Sequence, residues 1–459
     1  MNLTNTHGFT RCGFGVAVRD VTPPVGIYSR SWGAARHYVA EGVHRPLTAS
    51  AAILRPLTGE LTELAIVALD IGWYGQLADE RHMRAAVIKA TGLSESALLI
   101  NMSHTHAGAN VDTKRSGLPG GQMIAPYLDQ IATQVAGAIA AARADLSPAW
   151  ISYGYGRCSL AANRDLWSPT LGRFVVGFNP STAADDTVLV ARVNGDDNRV
   201  RATLVNYACH PTTLAWQNRL LSPDYVGAMR EVLEKIYEAP VLFLYGAAGD
   251  LGPREGFVGD PDVADRNGRQ LAYSAAAALE ALPPPATKFV FSGVVASGAN
   301  LGTWAYEPLD APNASRSAQL DHRLIYVPLR RKSELTPVDP PSAGNVDQSA
   351  EAEKSLRRDS LRAALGESQI YQMPVWLWRL GDALVLAGSH EAYSCLQVEI
   401  RSRFSRVPVL IMGCTNGTVG YLPPRESYGS GLYQEQQSPF AAGCLEQTIE
   451  ASILELELI

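Results

Sequence analysis

The sequence predicts an α/β fold built in layers, and three observations carry that prediction. Apolar runs of strand length alternate with longer Ala-rich or charged stretches of helical length, the order expected when strands and helices stack face to face. Hydrophobic residues make up 46% of the 459-residue chain and charged residues 18%, an ordinary balance for a globular protein with a large core. No internal repeat, heptad or low-complexity tract breaks the alternation.

Ala51–Leu54 and Leu64–Leu69 are continuous apolar runs and read as strands. Gln76–Thr91 reads as a helix and Ala97–Met102 as the next strand. Ile124–Ala142 is an Ala-rich helix that stops before Leu146-Ser-Pro148. Val188–Val193 and Val200–Ala208 are strands joined by the turn Asn194-Gly-Asp-Asp-Asn198. Pro223–Tyr237 is helical, with Ser222 suited to the N-cap and proline to the first turn. Val241–Tyr245 is a strand running into Gly246-Ala-Ala-Gly249-Asp250-Leu-Gly252-Pro253. Asp262–Leu282 is a helix that Pro283-Pro-Pro285 ends. Phe289–Ser297, Leu324–Leu329, Pro374–Leu380 and Ala383–Ala387 read as strands. Glu391–Phe404 reads as a helix, Val407–Met412 as a strand and Phe440–Leu454 as a closing helix. Ser333–Ser349 carries Pro337, Pro340, Pro341 and Gly344 and reads as a mobile surface loop, either a lid or a plain connector.

Composition narrows the function. A net charge of −6 and no recurring basic cluster argue against nucleic acid as a partner. The first residues lack the basic and apolar regions of a secretory signal. No apolar run approaches the roughly 20 residues that span a bilayer, so stable membrane insertion is not expected. Six scattered cysteines (Cys12, Cys158, Cys209, Cys395, Cys414, Cys444) show no CxxC spacing. Their apolar contexts favour free thiols in a reducing compartment, and a cytoplasmic location is expected.

Four segments after predicted strands hold polar residues that a core does not require. Asn101-Met-Ser-His104-Thr-His106-Ala-Gly108 places two of the nine histidines at i and i+2. On an extended backbone they project from the same face, either toward a metal or as a hydrogen-bonded pair. Asn206-Tyr-Ala-Cys-His210-Pro211 ends a strand on one histidine, a ligand or a satisfied residue. Leu386-Ala-Gly388-Ser-His390-Glu391 puts a carboxylate at a strand-to-helix junction, where it can also stabilise a helix start. The Gly-, Pro- and Tyr-rich stretch from Gly413 to Tyr433 suits a binding loop or a core cover. Together they supply imidazoles, a carboxylate and phenols at strand ends, where open α/β sheets collect ligands. Two histidines and a carboxylate form a catalytic zinc set that leaves a position open for water.

These residues resemble the catalytic domain of the neutral (alkaline, non-lysosomal) ceramidase family over nearly the whole chain. Arg19-Asp-Val-Thr-Pro23 is similar to the family's opening motif. Gly42-Val-His44-Arg-Pro46 resembles its second motif, with Arg45 where aspartate is usual. Asn101–Gly108, Ala162-Asn163-Arg164 and Asn206–Pro211 match further motifs, and Tyr421 and Tyr433 keep the family's spacing of twelve positions. The resemblance implies layered mixed β-sheets with flanking helices and a metal site at strand ends. It implies one catalytic domain over residues 1–459, without the C-terminal immunoglobulin-like domain that well-studied ceramidases carry.

By position, the resemblance implies His104, His210, Glu391 and Tyr421 as zinc ligands. It implies that His106, Arg164 and Tyr433 contact a substrate carbonyl or tetrahedral intermediate. Asp250 is a candidate to orient a ligand histidine, and Asp224 a weaker one beside its reading as a helix-start carboxylate. The sequence departs from the family at Gly252, where a serine important for amide cleavage is usual. Ala107 and Ala109 also replace serine and proline.

The expectation is a zinc-dependent amidohydrolase that cleaves an N-acyl bond of a small polar or amphipathic molecule with zinc-bound water. The alternatives are a metal-dependent lyase acting on a uronic-acid saccharide and a non-catalytic binding protein. Self-association is left open.

Overall fold

In the computed structural model, eight of the strand-forming runs join in one sheet. The described residues are 4–5, 7–59, 62–333, 356 and 359–459. Apart from Ser333, the proline-bearing stretch 333–349 lies outside them. The strands of the large sheet are β1 Phe9–Asp20, β2 Thr48–Arg55, β3 Leu64–Leu69, β4 Leu98–Met102, β5 Ser147–Arg157, β6 Thr187–Gly195, β7 Val200–Tyr207 and β8 Val241–Tyr245. Their order is β8-β7-β6-β5-β1-β2-β3-β4. Only β7–β8 and β3–β4 pair in parallel; the other neighbours are antiparallel. A second sheet holds β9 Leu320–Arg330, β10 Ile370–Leu380, β11 Ala383–Gly388 and β12 Val409–Met412 in chain order. Its one parallel pair is β11–β12. The sheets are mixed and layered, as the sequence led us to expect.

The alternation of side chains along a strand explains why these runs are apolar throughout. In β3, Ala65 and Val67 face helices α1 (Leu77–Thr91) and α2 (Ile124–Ala144), while Leu64 and Ile66 face the second sheet. Helices α3 (Tyr225–Tyr237) and α4 (Pro261–Glu280) cover the same face as α1 and α2. In β10, Trp376 and Trp378 point to the large sheet, while Val375 and Leu377 point away toward α5 (Cys395–Arg403) and α6 (Cys444–Leu456). The stack is therefore helices, sheet, sheet, helices. Both indoles satisfy their N–H groups across the inter-sheet layer, on the carbonyls of Glu95 and Ser96, each at 2.9 Å.

Two long strands, β1 and β5, escape the sequence reading because glycines interrupt their apolar pattern. The glycines are required by packing. A Cβ on Gly15 would lie 1.9 Å from the Ala142 carbonyl oxygen, and one on Gly156 would lie 2.8 Å from the Ala278 Cβ. Each absence lets a helix settle on the sheet.

The expected helix over Glu391–Phe404 is corrected. Glu391–Ala392 is a short strand paired in parallel with Tyr421–Leu422, and α5 begins only after Ser394. The closing helix starts at Cys444, four residues later than expected, after the left-handed Gly443. The expected Ser222 N-cap is replaced by Asp224, whose side chain accepts from the Tyr225 N–H.

Candidate metal centre

Four strand ends converge on one buried cluster. Asn101, near the end of β4, binds them together. Its Oδ1 accepts from the Tyr245 N–H of β8 at 2.7 Å, and its Nδ2 donates to the Gly413 carbonyl beyond β12 at 2.6 Å. Past β4 the chain does not stay extended. His104 has a φ of 64°, and its N–H donates to the Ile71 carbonyl at 3.0 Å. The paired projection expected from a strand is thus corrected. A left-handed residue turns the loop, and the His104 and His106 rings meet edge to face at 5.1 Å.

His210 follows β7 and is fully buried. Its Nδ1 bonds the Ala248 and Leu251 carbonyls at 2.7 and 3.1 Å, and His104 Nδ1 bonds the Gly72 carbonyl at 2.9 Å. A carbonyl only accepts, so both rings carry a proton on Nδ1 and turn Nε2 into the site. Both Nε2 atoms face the same oxygen, Glu391 Oε2, at 3.4 Å from His104 and 3.2 Å from His210. The donor nitrogens of His104, His106 and His210 lie within 4.8 Å of one another. Nitrogen and carboxylate donors with the second ring nitrogen committed to the backbone are the arrangement that holds a divalent metal.

Tyr421 reaches this cluster because its strand register sets it beside Glu391. Its ring lies nearly parallel to His210 at 6.3 Å, and Tyr433 packs edge-on against it at 5.9 Å. Arg164 Nη2 donates to the Tyr421 hydroxyl at 3.1 Å and to the Gly249 carbonyl at 2.7 Å, while Nε reaches the same carbonyl at 3.1 Å. A pocket of about 140 Å³ opens over His104, His106, Glu391, Tyr421 and Tyr433, walled by Trp73.

The electrostatics follow from burial against charge. Burial alone would raise the Glu391 carboxyl, but His104 and His210 hold it well below the usual range. Burial, then Arg164, pushes His210 down to about 3, so the ring stays neutral. Burial opposes charge on His104, yet Cys414 and Glu391 outweigh it and raise its pKa. Burial and Glu391 push the Tyr421 hydroxyl well above its ordinary value, and Arg164 acts against them.

One expectation changes. The Asp250 carboxylate touches no histidine; it accepts from Ser394 N at 2.6 Å and from Ser394 Oγ at 2.8 Å, which anchors the turn after Glu391. Asp224 takes the expected place of a helix-start carboxylate, accepting from Tyr225 N at 2.6 Å and also from Leu214 N at 2.8 Å. Gly252 sits in the Leu251–Pro253 strand paired with Ala161–Asn163. A Cβ there would meet Arg164 Cδ at 3.7 Å and Thr212 Oγ1 at 3.8 Å, ordinary contacts that leave room for a side chain.

Several neighbours of the site were not singled out in the sequence. The Tyr245 hydroxyl lies 3.1 Å from His210 Nδ1. Trp73 and Trp32 flank His106, with ring centroids at 4.8 and 5.2 Å. Gln434, fully buried beside Tyr433, donates to Asp165 Oδ1 at 2.8 Å and to the Gly249 carbonyl at 3.2 Å. The available signal was position alone, since Tyr245 ends a strand that enters a Gly-Ala-Ala-Gly turn.

Solved structures with this fold exist. One, described as a ceramidase complexed with C2, matches at a TM-score of 0.70 and 17% identity, covering 99% of this chain and 75% of the other. The neutral ceramidase from Pseudomonas aeruginosa matches at a TM-score of 0.68 and 18% identity, with the same 99% and 75% coverage. No protein-family model and no curated protein matches the chain. The chain thus has a neutral ceramidase-like fold.

Proposed function

We propose that this neutral ceramidase-like domain is a zinc-dependent amidohydrolase that cleaves the N-acyl bond of a small polar or amphipathic substrate. One observation carries the reading: Glu391 Oε2 faces the Nε2 atoms of His104 and His210, at 3.4 and 3.2 Å, while both Nδ1 atoms are held by carbonyls. His104, His210, Glu391 and Tyr421 would hold the ion, as the family resemblance implies. A zinc ion there supplies Lewis acidity, which polarises a carbonyl and lowers the pKa of water toward neutrality.

The chain's own groups take the remaining roles. His106 and Tyr433 line the pocket and would donate to the acyl oxygen as it gains charge. Arg164 fixes the Tyr421 hydroxyl and the Gly249 carbonyl. The pocket of about 140 Å³, below the roughly 300–1,000 Å³ of drug-sized sites, favours a short acyl group or a compact head group. Trp73 covers one side of His106 and helps keep bulk water from the reacting carbonyl.

The buried guanidinium of Arg164 is already shared between Gly249 and Tyr421. It is poorly placed to neutralise a uronate carboxylate, which disfavours the lyase reading. The retained donor set disfavours a non-catalytic protein.

The test is elemental analysis with a panel of short N-acyl amides. About one zinc per chain is expected, lost in Glu391→Ala and His210→Ala together with amide cleavage. A metal-free chain that still cleaves amides would sink the proposal.

A further inference from the structure

A β-hairpin stands apart from the layered body. Thr287–Ser297 and Ala299–Pro308 pair antiparallel around the left-handed Gly298. From Phe289 to Tyr306 the arm runs 18 residues without one charged side chain, in a chain that is 18% charged. Strand alternation and the register sort its apolar residues onto two faces. Phe289, Phe291, Trp304, Tyr306 and Val294 share one face, and their rings form a continuous strip with centroids 4.7 to 5.8 Å apart. Val295 and Leu301 lie opposite each other on the second face.

The aromatic strip is left open to solvent. Trp304 is 40% exposed, Phe291 39%, Tyr306 47% and Val294 61%. The outer strand, Ala299–Pro308, is an edge of its three-stranded sheet and lacks the charges that normally guard an exposed edge until Glu307.

We infer that the aromatic strip is a homodimer interface, packed against the same strip of a second copy around a two-fold axis. An uncharged strip is self-complementary, which an isologous contact demands, and it lets two chains of net charge −6 approach at this point without repulsion. The area suffices. At roughly 150–250 Å² per aromatic side chain, the exposed parts of Phe291, Trp304 and Tyr306 amount to about 250 Å². Val294 and the bare outer edge bring each arm to roughly 500 Å², so two arms together reach the roughly 1,000 Å² at the lower limit of a specific interface. A lipid surface fits less well. Segments that settle on anionic membrane surfaces pair apolar residues with basic ones, whereas the flanks here are Glu307 and a Lys288 already paired with Asp310 at 3.7 Å.

Sedimentation velocity on the full chain at micromolar concentration tests this. The native chain should sediment at twice 49.3 kDa. Val294→Glu, on the strip, should weaken dimerisation at least 100-fold, while Leu301→Glu, on the other face, should leave it within a few-fold. Unchanged melting and metal content in both variants exclude misfolding. A native monomer, or a dimer indifferent to Val294→Glu, overturns the inference. So does a monomer that co-sediments with phosphatidylcholine vesicles through Val294, which assigns the arm to lipid.

Discussion

Arg164 and Tyr421 are joined by a 3.1 Å hydrogen bond from Nη2 to the phenol oxygen, and the same guanidinium straddles the Gly249 carbonyl. Two separate loops are thereby fixed by one side chain. Lysine keeps the charge but presents a single point donor and cannot serve both partners in this geometry. Arg164→Lys should therefore fold and retain metal yet lose roughly 10- to 100-fold in kcat/KM, the worth of a charge-assisted hydrogen bond of about 1.5–3 kcal/mol. Steady-state kinetics beside a melting curve separates this from simple destabilisation.

Tyr421→Phe isolates the hydroxyl. The ring stays against His210, where it now lies at 6.3 Å. If the phenol oxygen is a ligand, chelator competition should show metal affinity lowered at least tenfold. Unchanged affinity removes Tyr421 from the proposed donor set.

His106 stands between two roles. Its donor atom groups with those of His104 and His210 within 4.8 Å, yet the family resemblance assigns it to the substrate. We expect His106→Ala to keep about one metal per chain and to lose at least 100-fold in kcat. Metal loss equal to that of His104→Ala would reassign it as a ligand.

The sequence made these residues visible because strand ends carry few polar groups by accident, and His104, His210, Glu391 and Tyr421 do meet. Other features leave no local trace. The side chains of β3 divide between two cores, so Ile66 and Val67 are both apolar and the period-two signal disappears. Periodicity alone therefore does not reveal the stacking of one sheet on another, which only the family resemblance implies. Tyr245 and Trp73 read as core aromatics, since only tertiary contact sets them on the histidines. The sequence offers Asp250 as a candidate to orient a ligand histidine; its partner is instead Ser394, 144 positions away.

Gly252 offers a gain-of-function test. A Cβ there makes only ordinary contacts, with Arg164 Cδ at 3.7 Å and Thr212 Oγ1 at 3.8 Å. Gly252→Ser should fold with a melting temperature within a few degrees of native. If the missing hydroxyl limits amide cleavage, kcat on an N-acyl amide should rise several-fold. A folded variant with an unchanged rate argues that the native site has dispensed with that contact.

Asp224 gives a prediction in pH. Burial raises its carboxyl from 3.8 to about 6, and the N–H groups of Leu214 and Tyr225 only partly offset this. The folded chain therefore holds this proton more tightly than the unfolded chain does. The resulting stability is complete below about pH 4 and is lost as pH rises to about 6, a change of roughly 3 kcal/mol at 1.36 kcal/mol per pKa unit. Asparagine stays neutral at every pH, as the protonated Asp224 is in acid, so in acid Asp224→Asn should be less stable only by about the 0.5–1.5 kcal/mol of one lost hydrogen bond, because its amide cannot accept from both N–H groups. Its deficit should then shrink as pH rises from 4 to 7. Denaturant unfolding of both proteins across that range is the check; a deficit that grows with pH would mean the native carboxylate is stabilised in its charged form.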